Sequence, residues 1–262
     1  MSSRSLALVT GASSGIGFEL AKLFAQNEFD LIIAAEDAAI STAARDLEAE
    51  GASVDCVQVD LATEDGVVDL YRHVADAGRP LAVAALNAGI GAGGAFTDTD
   101  LADELKICDL NVRSTVHLSK YVVRHMVSQG SGRILYTSSI ASTMPGSFQA
   151  VYNASKSFVQ AFAMALRNEL KDTGVTVTSL MPGPTDTEFF ERADMLDTKL
   201  GSSDKDDPAD VARDGFQALM NGDERVVSHS LKTKLQGIGS RAIPDSVKAE
   251  MHRQQAEPGS AS

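Results

Sequence analysis

The chain has 262 residues, with 23 Lys and Arg against 36 Asp and Glu, and a formal net charge of −13. This length suits one α/β domain with a substantial core, and the acidic balance argues against a nucleic-acid partner. The two cysteines, Cys56 and Cys108, form neither a disulfide framework nor a zinc spacing, and the five histidines lack metal-ligand spacing. We therefore predict no metal site.

The first segment of the chain predicts a strand, a glycine-rich turn and a helix. Residues 5–9 form an apolar run typical of a buried parallel strand, and residues 18–25 form an amphipathic helical pattern. Glycines let a backbone approach a pyrophosphate, and a helix N-terminus adds unpaired N–H groups and a positive dipole end. A tight turn without ligand is the alternative. The candidate phosphate-binding residues are Gly11, Ser13, Ser14, Gly15, Ile16 and Gly17.

Strand-like runs then alternate with helical patterns along the chain. Such alternation predicts a parallel sheet with helices on both faces. The strands are expected near residues 5–9, 30–35, 53–59, 81–86, 133–137, 175–180 and 225–228. The helices are expected near residues 38–50, 64–76, 99–129, 152–172 and 208–221.

One domain spanning residues 1–262 is predicted, since neither a repeat nor a second domain is evident. The charged stretch 188–207 contains a glycine and predicts a mobile lid over a substrate. The end of the chain, residues 256–262, is expected to fray. The N-terminus does not read as a signal peptide, and no stretch is apolar enough for a membrane span. We expect a cytoplasmic protein.

Tyr152 and Lys156 would lie on one face of a helix, about one turn apart. A phenol ordinarily has a pKa of ~10, and a neighbouring cation favours its phenolate. The pair is therefore a candidate general acid and base, although such pairs also occur by chance on helix surfaces. Ser139 lies upstream, and its neighbour Ser138 would point to the opposite face of a strand.

These motifs together resemble the short-chain dehydrogenase/reductase family. The resemblance covers about residues 5–230 and implies a nicotinamide-dependent oxidoreductase with a Rossmann-type, doubly wound parallel sheet of about seven strands. The motifs match in order and spacing, and the residues that carry them are Thr10, Gly11, Gly15, Ile16, Gly17, Asp60, Asn87, Ala88, Gly89, Asn111, Ser139, Tyr152, Lys156, Pro182 and Gly183.

The resemblance implies four catalytic residues. Tyr152 would exchange a proton with the substrate oxygen, which Ser139 would hold. Lys156 would lower the pKa of Tyr152 and bind the nicotinamide ribose. Asn111 would retain a water that connects Lys156 to solvent.

The cofactor residues follow the ends of the predicted strands. Glu36 can bind the adenosine ribose and repel a 2′-phosphate, which favours NAD over NADP, with NADP still possible. The family's NAD-selecting aspartate would instead align with Ala35, and Glu36 and Asp37 could be solvated loop charges. Asp60 and Leu61 would contact adenine, with Asp60 as a helix N-cap the alternative.

The remaining cofactor residues are implied on the ribose and nicotinamide sides. The small residues of the segment Asn87, Ala88 and Gly89 would let the backbone pass close to the cofactor ribose. Pro182 and Gly183 begin a turn in which Thr185 and Thr187 would hold the carboxamide.

The substrate is expected to be an uncharged secondary alcohol or ketone of modest size, because no arginine cluster accompanies the apolar residues of the site. Core packing is the alternative role for these apolar residues. The candidate substrate residues are Ser139, Met144, Phe148, Tyr152, Phe189 and Met195.

An NAD-dependent alcohol dehydrogenase is the favoured function. An NADPH-dependent ketone or 3-oxoacyl-thioester reductase is the alternative. A non-catalytic nucleotide-sensing protein is disfavoured, because the whole catalytic set is retained. The helices near 99–129 and 152–172 are long and apolar, and the family packs their counterparts between subunits. We therefore expect a homo-oligomer, a tetramer or a dimer.

Overall fold

Seven strands build the sheet in this computed structural model, which describes residues 4–228 and 243–261. They are β1 Ser5–Thr10, β2 Phe29–Ala35, β3 Val54–Gln58, β4 Leu81–Leu86, β5 Gly132–Thr137, β6 Val175–Met181 and β7 Arg225–Val227. All pair in parallel, in the order β3-β2-β1-β4-β5-β6-β7. The predicted fold is confirmed as a doubly wound Rossmann-type sheet.

The helices cross from strand to strand over both faces of the sheet. In chain order they are α1 Gly15–Gln26, α2 Ile40–Ala49, α3 Glu64–Asp76, α4 Leu101–Ile107, α5 Thr115–Gln129, α6 Ala150–Glu169, α7 Phe189–Arg192, α8 Lys199–Ser202, α9 Pro208–Asn221 and α10 Asp245–Ala256. No helix in the described ranges is long and apolar enough to cross a membrane.

Strand alternation divides the core between the two faces. Leu6 and Leu8 of β1 pack in one cluster with side chains of α3, α5 and α6. Ala7 and Val9 pack in the other cluster with side chains of α1, α2 and α9. Because successive residues of a strand face opposite sides, burial on both sides requires the continuous apolar run seen in the sequence.

The sheet reverses its winding direction at β1. This strand pairs with β2 on one side and with β4 on the other. In open α/β sheets the crevice that binds ligands lies outside the carboxyl ends of the strands at such a switch point. The fold therefore places the glycine-rich turn after β1 at the centre of a potential site.

The long helix predicted over residues 99–129 is interrupted. A π-helical segment, Cys108–Ser114, separates α4 from α5. Such bulges are rare and often accompany functional positions. Asn111 lies within this segment, and its side chain is buried.

The C-terminal region contains a helix that the sequence analysis did not predict. The backbone N–H of Gly259 donates to Asp197 Oδ2 (2.7 Å) and that of Ala261 to the Asp197 carbonyl (3.0 Å), and the expected fraying of residues 256–262 stays a prediction. Ala256 is fully buried. The helix α10 was not predicted, because its sequence is mostly polar and only His252 and Ala256 are buried within it.

The stretch predicted as a lid folds into α7 and α8. Phe190, Ala193 and Met195 form a small apolar cluster with Ala256 from the end of α10. The lid and the C-terminal helix therefore share a core that is separate from the two main clusters. The predicted mobility of the lid stays a prediction.

Candidate active site

A cavity of about 1410 Å³ lies at the carboxyl ends of the strands. It brings together every residue that the sequence assigned to a cofactor, together with Ser139, Tyr152 and Lys156. Among residues 4–228 and 243–261, no group of three His, Cys, Asp or Glu side chains is arranged to hold a metal.

The glycine-rich turn is built so closely that side chains do not fit. Gly11 and Gly15 have φ values of +66° and +57°, in the left-handed region that glycine adopts without strain. A Cβ on Gly17 would lie 2.0 Å from the carbonyl oxygen of Gly11. The turn therefore presents bare backbone and the N-terminus of α1 to the cavity, as an anionic phosphate requires.

Asp37 fixes this turn to the end of β2. Its Oδ2 accepts a hydrogen bond from Ser13 Oγ (2.8 Å), and its Oδ1 accepts one from the backbone N–H of Ala39 (3.0 Å). Asp37 is therefore a structural link between two loops, where the sequence allowed a solvated charge.

Glu36 faces a cation that the sequence analysis missed. Lys106 Nζ lies 3.1 Å from Glu36 Oε2 and 3.3 Å from Oε1, and both side chains line the cavity. The two residues are far apart in the chain, so no local pattern reveals the pair. Both are about half exposed, so the pair contributes little to stability.

Asp60 is not the N-cap of α3. That position belongs to Thr63, whose Oγ1 accepts from the backbone N–H of Gly66 (3.0 Å). Asp60 instead accepts from the backbone N–H of Ala62 (2.8 Å) through its Oδ1. This turn leaves Asp60 and the buried Leu61 side by side on the cavity wall.

Asn87 joins the ends of three neighbouring strands. Its backbone N–H donates to Thr10 Oγ1 (3.0 Å) at the end of β1, and its Oδ1 accepts from Thr137 Oγ1 (2.9 Å) at the end of β5. The sequence analysis assigned no role to these two threonines. Their signal was positional, since each is the last residue of its strand.

The turn after β6 closes over the glycine loop. The backbone N–H of Gly183 donates to Ser228 Oγ (3.2 Å), and Thr185 Oγ1 donates to the Gly183 carbonyl (3.0 Å). Thr187 lies against Gly15, where a Cβ would come within 2.9 Å of its Cγ2. The two predicted cofactor segments therefore meet across the cavity.

Ser139 begins the short 3-10 turn Ile140–Thr143. Its Oγ accepts from the backbone N–H of Ala141 (3.1 Å) and donates to the carbonyl of Pro182 (3.5 Å), and its interaction with Tyr152 acts to lower the pKa of that phenol. Ser138 points away, since its Oγ donates to the carbonyl of Lys156 (3.1 Å) in the buried interior. The structure therefore separates the two serines as the alternation of a strand predicts.

Lys156 is buried beside Tyr152. Its Nζ donates to the carbonyl of Thr137 (3.0 Å) and lies 5.9 Å from the centre of the Tyr152 ring. Burial lowers the pKa of Lys156 to about 8. A Cβ on Gly89 would lie 3.0 Å from this Nζ, so a larger residue there would press on the ammonium group.

The pKa of Tyr152 departs from the sequence-based expectation. We expected Lys156 to lower it below the ordinary value, but burial raises it to about 12, and the hydrogen bond with Ser139 offsets only part of this increase. Desolvation disfavours the phenolate, and Lys156 is itself easily deprotonated in the same surroundings. In the chain alone Tyr152 is therefore a phenol at neutral pH.

Asn111 lies behind the cavity wall. Its Nδ2 donates to the Ile90 carbonyl (2.8 Å) and to Ser155 Oγ (3.0 Å), while its Oδ1 accepts from the backbone N–H of Ile90 (3.0 Å). Its own carbonyl accepts from Thr115 Oγ1 (2.8 Å). The side chain therefore joins the loop after β4 to α6, and its contact with a water stays a prediction.

The candidate substrate residues divide into two groups. Met144 and Phe189 line the cavity, and the Phe189 ring lies 5.1 Å from the Tyr152 ring. Met195 is completely buried in the lid cluster, and Phe148 packs against that cluster, so neither is among the residues that line the cavity. Phe148 and Met195 therefore have the alternative role, which is core packing and not substrate contact.

The structure adds residues to the substrate end that the sequence analysis did not find. Gln149 lies one turn before Tyr152, and Lys248 and His252 come from α10. Their sequence neighbourhoods contain no motif, and α10 itself was not predicted. Only the folded chain places them on the wall that holds Tyr152.

The family model for short chain dehydrogenases matches residues 5–195. An uncharacterized oxidoreductase of Staphylococcus saprophyticus is 30% identical over 216 residues, which cover 82% of this chain and 90% of the relative. Sulfoacetaldehyde reductase 2 of Chromohalobacter salexigens is 32% identical over 186 residues, which cover 70% and 74% of the two chains.

A solved short-chain type dehydrogenase/reductase from Mycobacterium marinum has a similar structure. It superposes with a TM-score of 0.75 at 26% identity, and the match covers 85% of this chain and 93% of that one.

Proposed function

Because the chain belongs to the short-chain dehydrogenase family and is an oxidoreductase of that family, we propose that it transfers a hydride between a nicotinamide cofactor and a secondary alcohol or ketone. The observation that carries this proposal is the meeting of Ser139, Tyr152 and Lys156 with the glycine-rich turn in one cavity. A nucleotide-sensing role would not require Ser139, Tyr152 and Lys156 to meet beside the nucleotide site.

The residues present fit a dinucleotide. Bare backbone at Gly11, Gly15 and Gly17 accepts a pyrophosphate where any Cβ would collide. Asp60 and Leu61 line the cavity where adenine would lie, and Asn87, Ala88 and Gly89 line it where the ribose would pass. Thr185 and Thr187 flank the nicotinamide end with Pro182 and Gly183. When bound, the nicotinamide supplies or accepts the hydride.

The protein residues control the proton and the position of the substrate oxygen. In the reducing direction, the Tyr152 phenol donates its proton to that oxygen while Ser139 Oγ donates a hydrogen bond to it. In the oxidising direction, the tyrosine takes the alcohol proton. Phe189 covers Tyr152, and Gly91 allows this because its backbone passes so close that a Cβ would lie 2.6 Å from Phe189 Cζ.

Lys156 has a positioning role besides its charge. The bond from Nζ to the Thr137 carbonyl holds the ammonium group at the carboxyl end of β5, beside Tyr152, where it would reach the nicotinamide ribose. Asn111 supports this arrangement from behind, through Ile90 and Ser155.

NAD is the proposed cofactor, because the Glu36 carboxylate would meet a 2′-phosphate with like charge. The ion pair with Lys106 favours the alternative, an NADPH-dependent ketone or 3-oxoacyl-thioester reductase, since it offsets that charge. Glu36 remains the group at the end of β2, so we keep NAD as the preferred cofactor. The preference is expected to be moderate.

We expect NAD(H) to bind more tightly than NADP(H) in isothermal titration. Lys106→Met should widen this preference by about fivefold, since it leaves the Glu36 charge uncompensated near the surface. Glu36→Gln should narrow the preference. Both effects should weaken as salt is added, and tighter NADP(H) binding by the wild type would refute the role of Glu36.

We also propose a homo-oligomer, a tetramer or a dimer. Leu101 and Leu105 on α4 are 68% and 53% exposed, and Val116 on α5 and Phe158 on α6 are exposed as well. Large apolar side chains clustered on neighbouring helices are typical of a subunit interface.

Light scattering at micromolar concentration should give a mass above that of the 27.6 kDa monomer. The double variant Leu101→Ser and Leu105→Ser should shift the mass toward the monomer, because it removes apolar area from the interface. Val247→Ser, which changes an exposed apolar residue of α10, is the matched control. A monomeric wild type would contradict the proposal.

The cysteines also bear on the compartment. Cys56 and Cys108 are both free thiols, which suits the reducing cytoplasm that we propose.

The direct test of the function is a panel of ketones and secondary alcohols, each assayed with NAD(H) and NADP(H). Absorbance of the reduced nicotinamide measures turnover. Turnover of ketones and the corresponding alcohols would support the proposal. No turnover of any compound with either cofactor would contradict it.

A further inference from the structure

The cavity wall beyond Tyr152 is made by the turn before α6 and by α10. Ser147 connects the two. Its Oγ donates to the carbonyl of Ala249 (2.9 Å), and its own carbonyl is 2.9 Å from His252 Nδ1. On the α10 side, this wall lies beyond residues 5–195, the part of the chain that the family model matches.

His252 offers a hydrogen-bond acceptor to the cavity. A carbonyl only accepts, so Nδ1 carries the proton and donates to Ser147. The imidazole is 6% exposed, and burial lowers its pKa, so the neutral ring has an unprotonated Nε2. His252 lines the cavity, and its Nε2 has no hydrogen-bond partner in residues 4–228 or 243–261.

Gln149 carries an unused donor within the same wall. The residue is 4% exposed, and its Nε2 has no hydrogen-bond partner in the described chain. Four buried side-chain atoms share this condition, and Gln149 alone among their residues lines the cavity. An unpaired buried amide is costly. Because Nε2 is closed off from the cavity in the unliganded chain, a ligand completes it after the amide turns toward the cavity.

We propose that Gln149 and His252 form a subsite for a hydroxyl group of the substrate, next to the carbonyl that is reduced. The hydroxyl oxygen accepts from Gln149 Nε2, and its proton is donated in a hydrogen bond to His252 Nε2. The inference rests on the proposed function and adds to it the substrate class, which is a hydroxy ketone or the corresponding diol.

The position of Gln149 sets the distance between the two groups of the substrate. Gln149 is the N-cap of α6 and lies one turn before Tyr152, a rise of about 5 Å. Residues at this spacing share a helix face. The hydroxyl recognised by Gln149 is therefore one or two carbons from the carbonyl that Tyr152 protonates.

A hydroxyl fits this subsite better than a carboxylate. A carboxylate accepts only, and it would face the lone pair of His252 Nε2. The nearest cation of α10, Lys248, is engaged by Asp245 (3.0 Å). A hydroxyl uses both the donor and the acceptor.

Matched ketones test the subsite. Hydroxyacetone is compared with butanone, and 2-hydroxyacetophenone with propiophenone, so that a hydroxyl replaces a methyl group of similar size. The measured quantity is the ratio of kcat/KM for the hydroxy ketone to that for its alkyl partner. Variants are judged by the change in this ratio, because the hydroxyl also alters the intrinsic reactivity of a ketone.

Gln149→Leu should lower the ratio about tenfold, mainly through KM, since it removes one hydrogen bond to the hydroxyl. Its melting temperature should not fall, because a leucine leaves no unpaired donor. This readout separates a binding role from a structural one. Gln217→Leu, which changes a glutamine of α9 outside the cavity, is the control and should leave the ratio unchanged.

Two substitutions divide the roles of His252. His252→Asn keeps a donor for the Ser147 carbonyl but loses the acceptor, so the ratio should fall about tenfold. His252→Gln places an amide oxygen near the position of Nε2 and should retain part of the ratio.

The outcomes separate the subsite from the function. Turnover of all four ketones with equal ratios in the wild type and in Gln149→Leu would overturn the subsite and leave the proposed function intact. A ratio that falls in both Gln149→Leu and His252→Asn would support the subsite. No turnover of any of the four ketones would contradict both.

Discussion

Tyr152→Phe is expected to lower kcat about 10³-fold in both directions, because the variant cannot pass a proton to or from the substrate oxygen. Cofactor affinity should stay within about twofold of the wild type, because the ring keeps its packing against Phe189. A twofold change in affinity corresponds to less than about 1 kcal/mol. Steady-state kinetics and cofactor titration measure the two quantities. Loss confined to kcat identifies a group that acts only in the chemical step.

Tyr136→Phe is the matched control. Tyr136 is a fully buried tyrosine, and burial raises its pKa as well. Its hydroxyl is hydrogen-bonded to Ser119 Oγ (2.7 Å) and lies outside the cavity. The control should lower the melting temperature and leave kcat unchanged. If Tyr152→Phe keeps more than about a tenth of the wild-type kcat, well above the activity expected without an acid or base, another group carries the proton.

The fold was predictable because its signals are local. Apolar runs such as residues 5–9 are buried on both faces of a parallel sheet. They can therefore be recognised from the local sequence, without information on distant contacts. The glycine-rich turn was equally clear. Gly17 leaves no room for a side chain, so the spacing of the turn reflects a steric requirement that acts over a few residues.

The parts that sequence reasoning missed depend on contacts between distant segments. The pair of Glu36 and Lys106 forms because α4 passes the end of β2, and neither residue has an unusual sequence neighbourhood. The helix α10 is mostly polar, so its periodicity is weak, and its position depends on the lid and on Ser147. Gln149 became a candidate only when its amide was found buried and unpaired.

The pKa of Tyr152 illustrates a competition that motifs cannot resolve. The motif implies a cation near the phenol, which lowers the pKa. The structure shows that burial acts more strongly on the same group, and that it also lowers the pKa of Lys156. The pH dependence of the reaction therefore has to be worked out for the pair.

The oxidation rate with NAD is expected to rise with pH to a plateau above about pH 8, the pKa that burial gives Lys156. Below this value the pair holds both protons, one on Lys156 and one on Tyr152. Loss of the first proton gives a pair that can accept the alcohol proton, and that proton can move between the two groups. Reduction needs the proton in place and should be favoured below the same pH.

Lys156→Met should move the acid limb of the oxidation profile to higher pH. The variant keeps much of the bulk but loses the group that titrates at about 8, which leaves Tyr152 with a pKa near 12. Oxidation at pH 8 should therefore fall at least about tenfold, because a base whose pKa is higher by one is deprotonated about ten times less often at the same pH. Oxidation rates of the wild type and the variant, measured from about pH 6 to about pH 10, show whether the acid limb has moved.

Lys171→Met is the control, since it removes an exposed lysine just beyond α6 and should leave the profile in place. Cofactor affinity should fall only in Lys156→Met, because Lys156 lines the cavity and Lys171 does not. The two readouts are independent, as kcat at saturating NAD removes the effect of weaker binding. If the acid limb of Lys156→Met coincides with that of the wild type, Lys156 does not set the proton affinity of the pair, and the base that accepts the alcohol proton has to be sought elsewhere in the cavity.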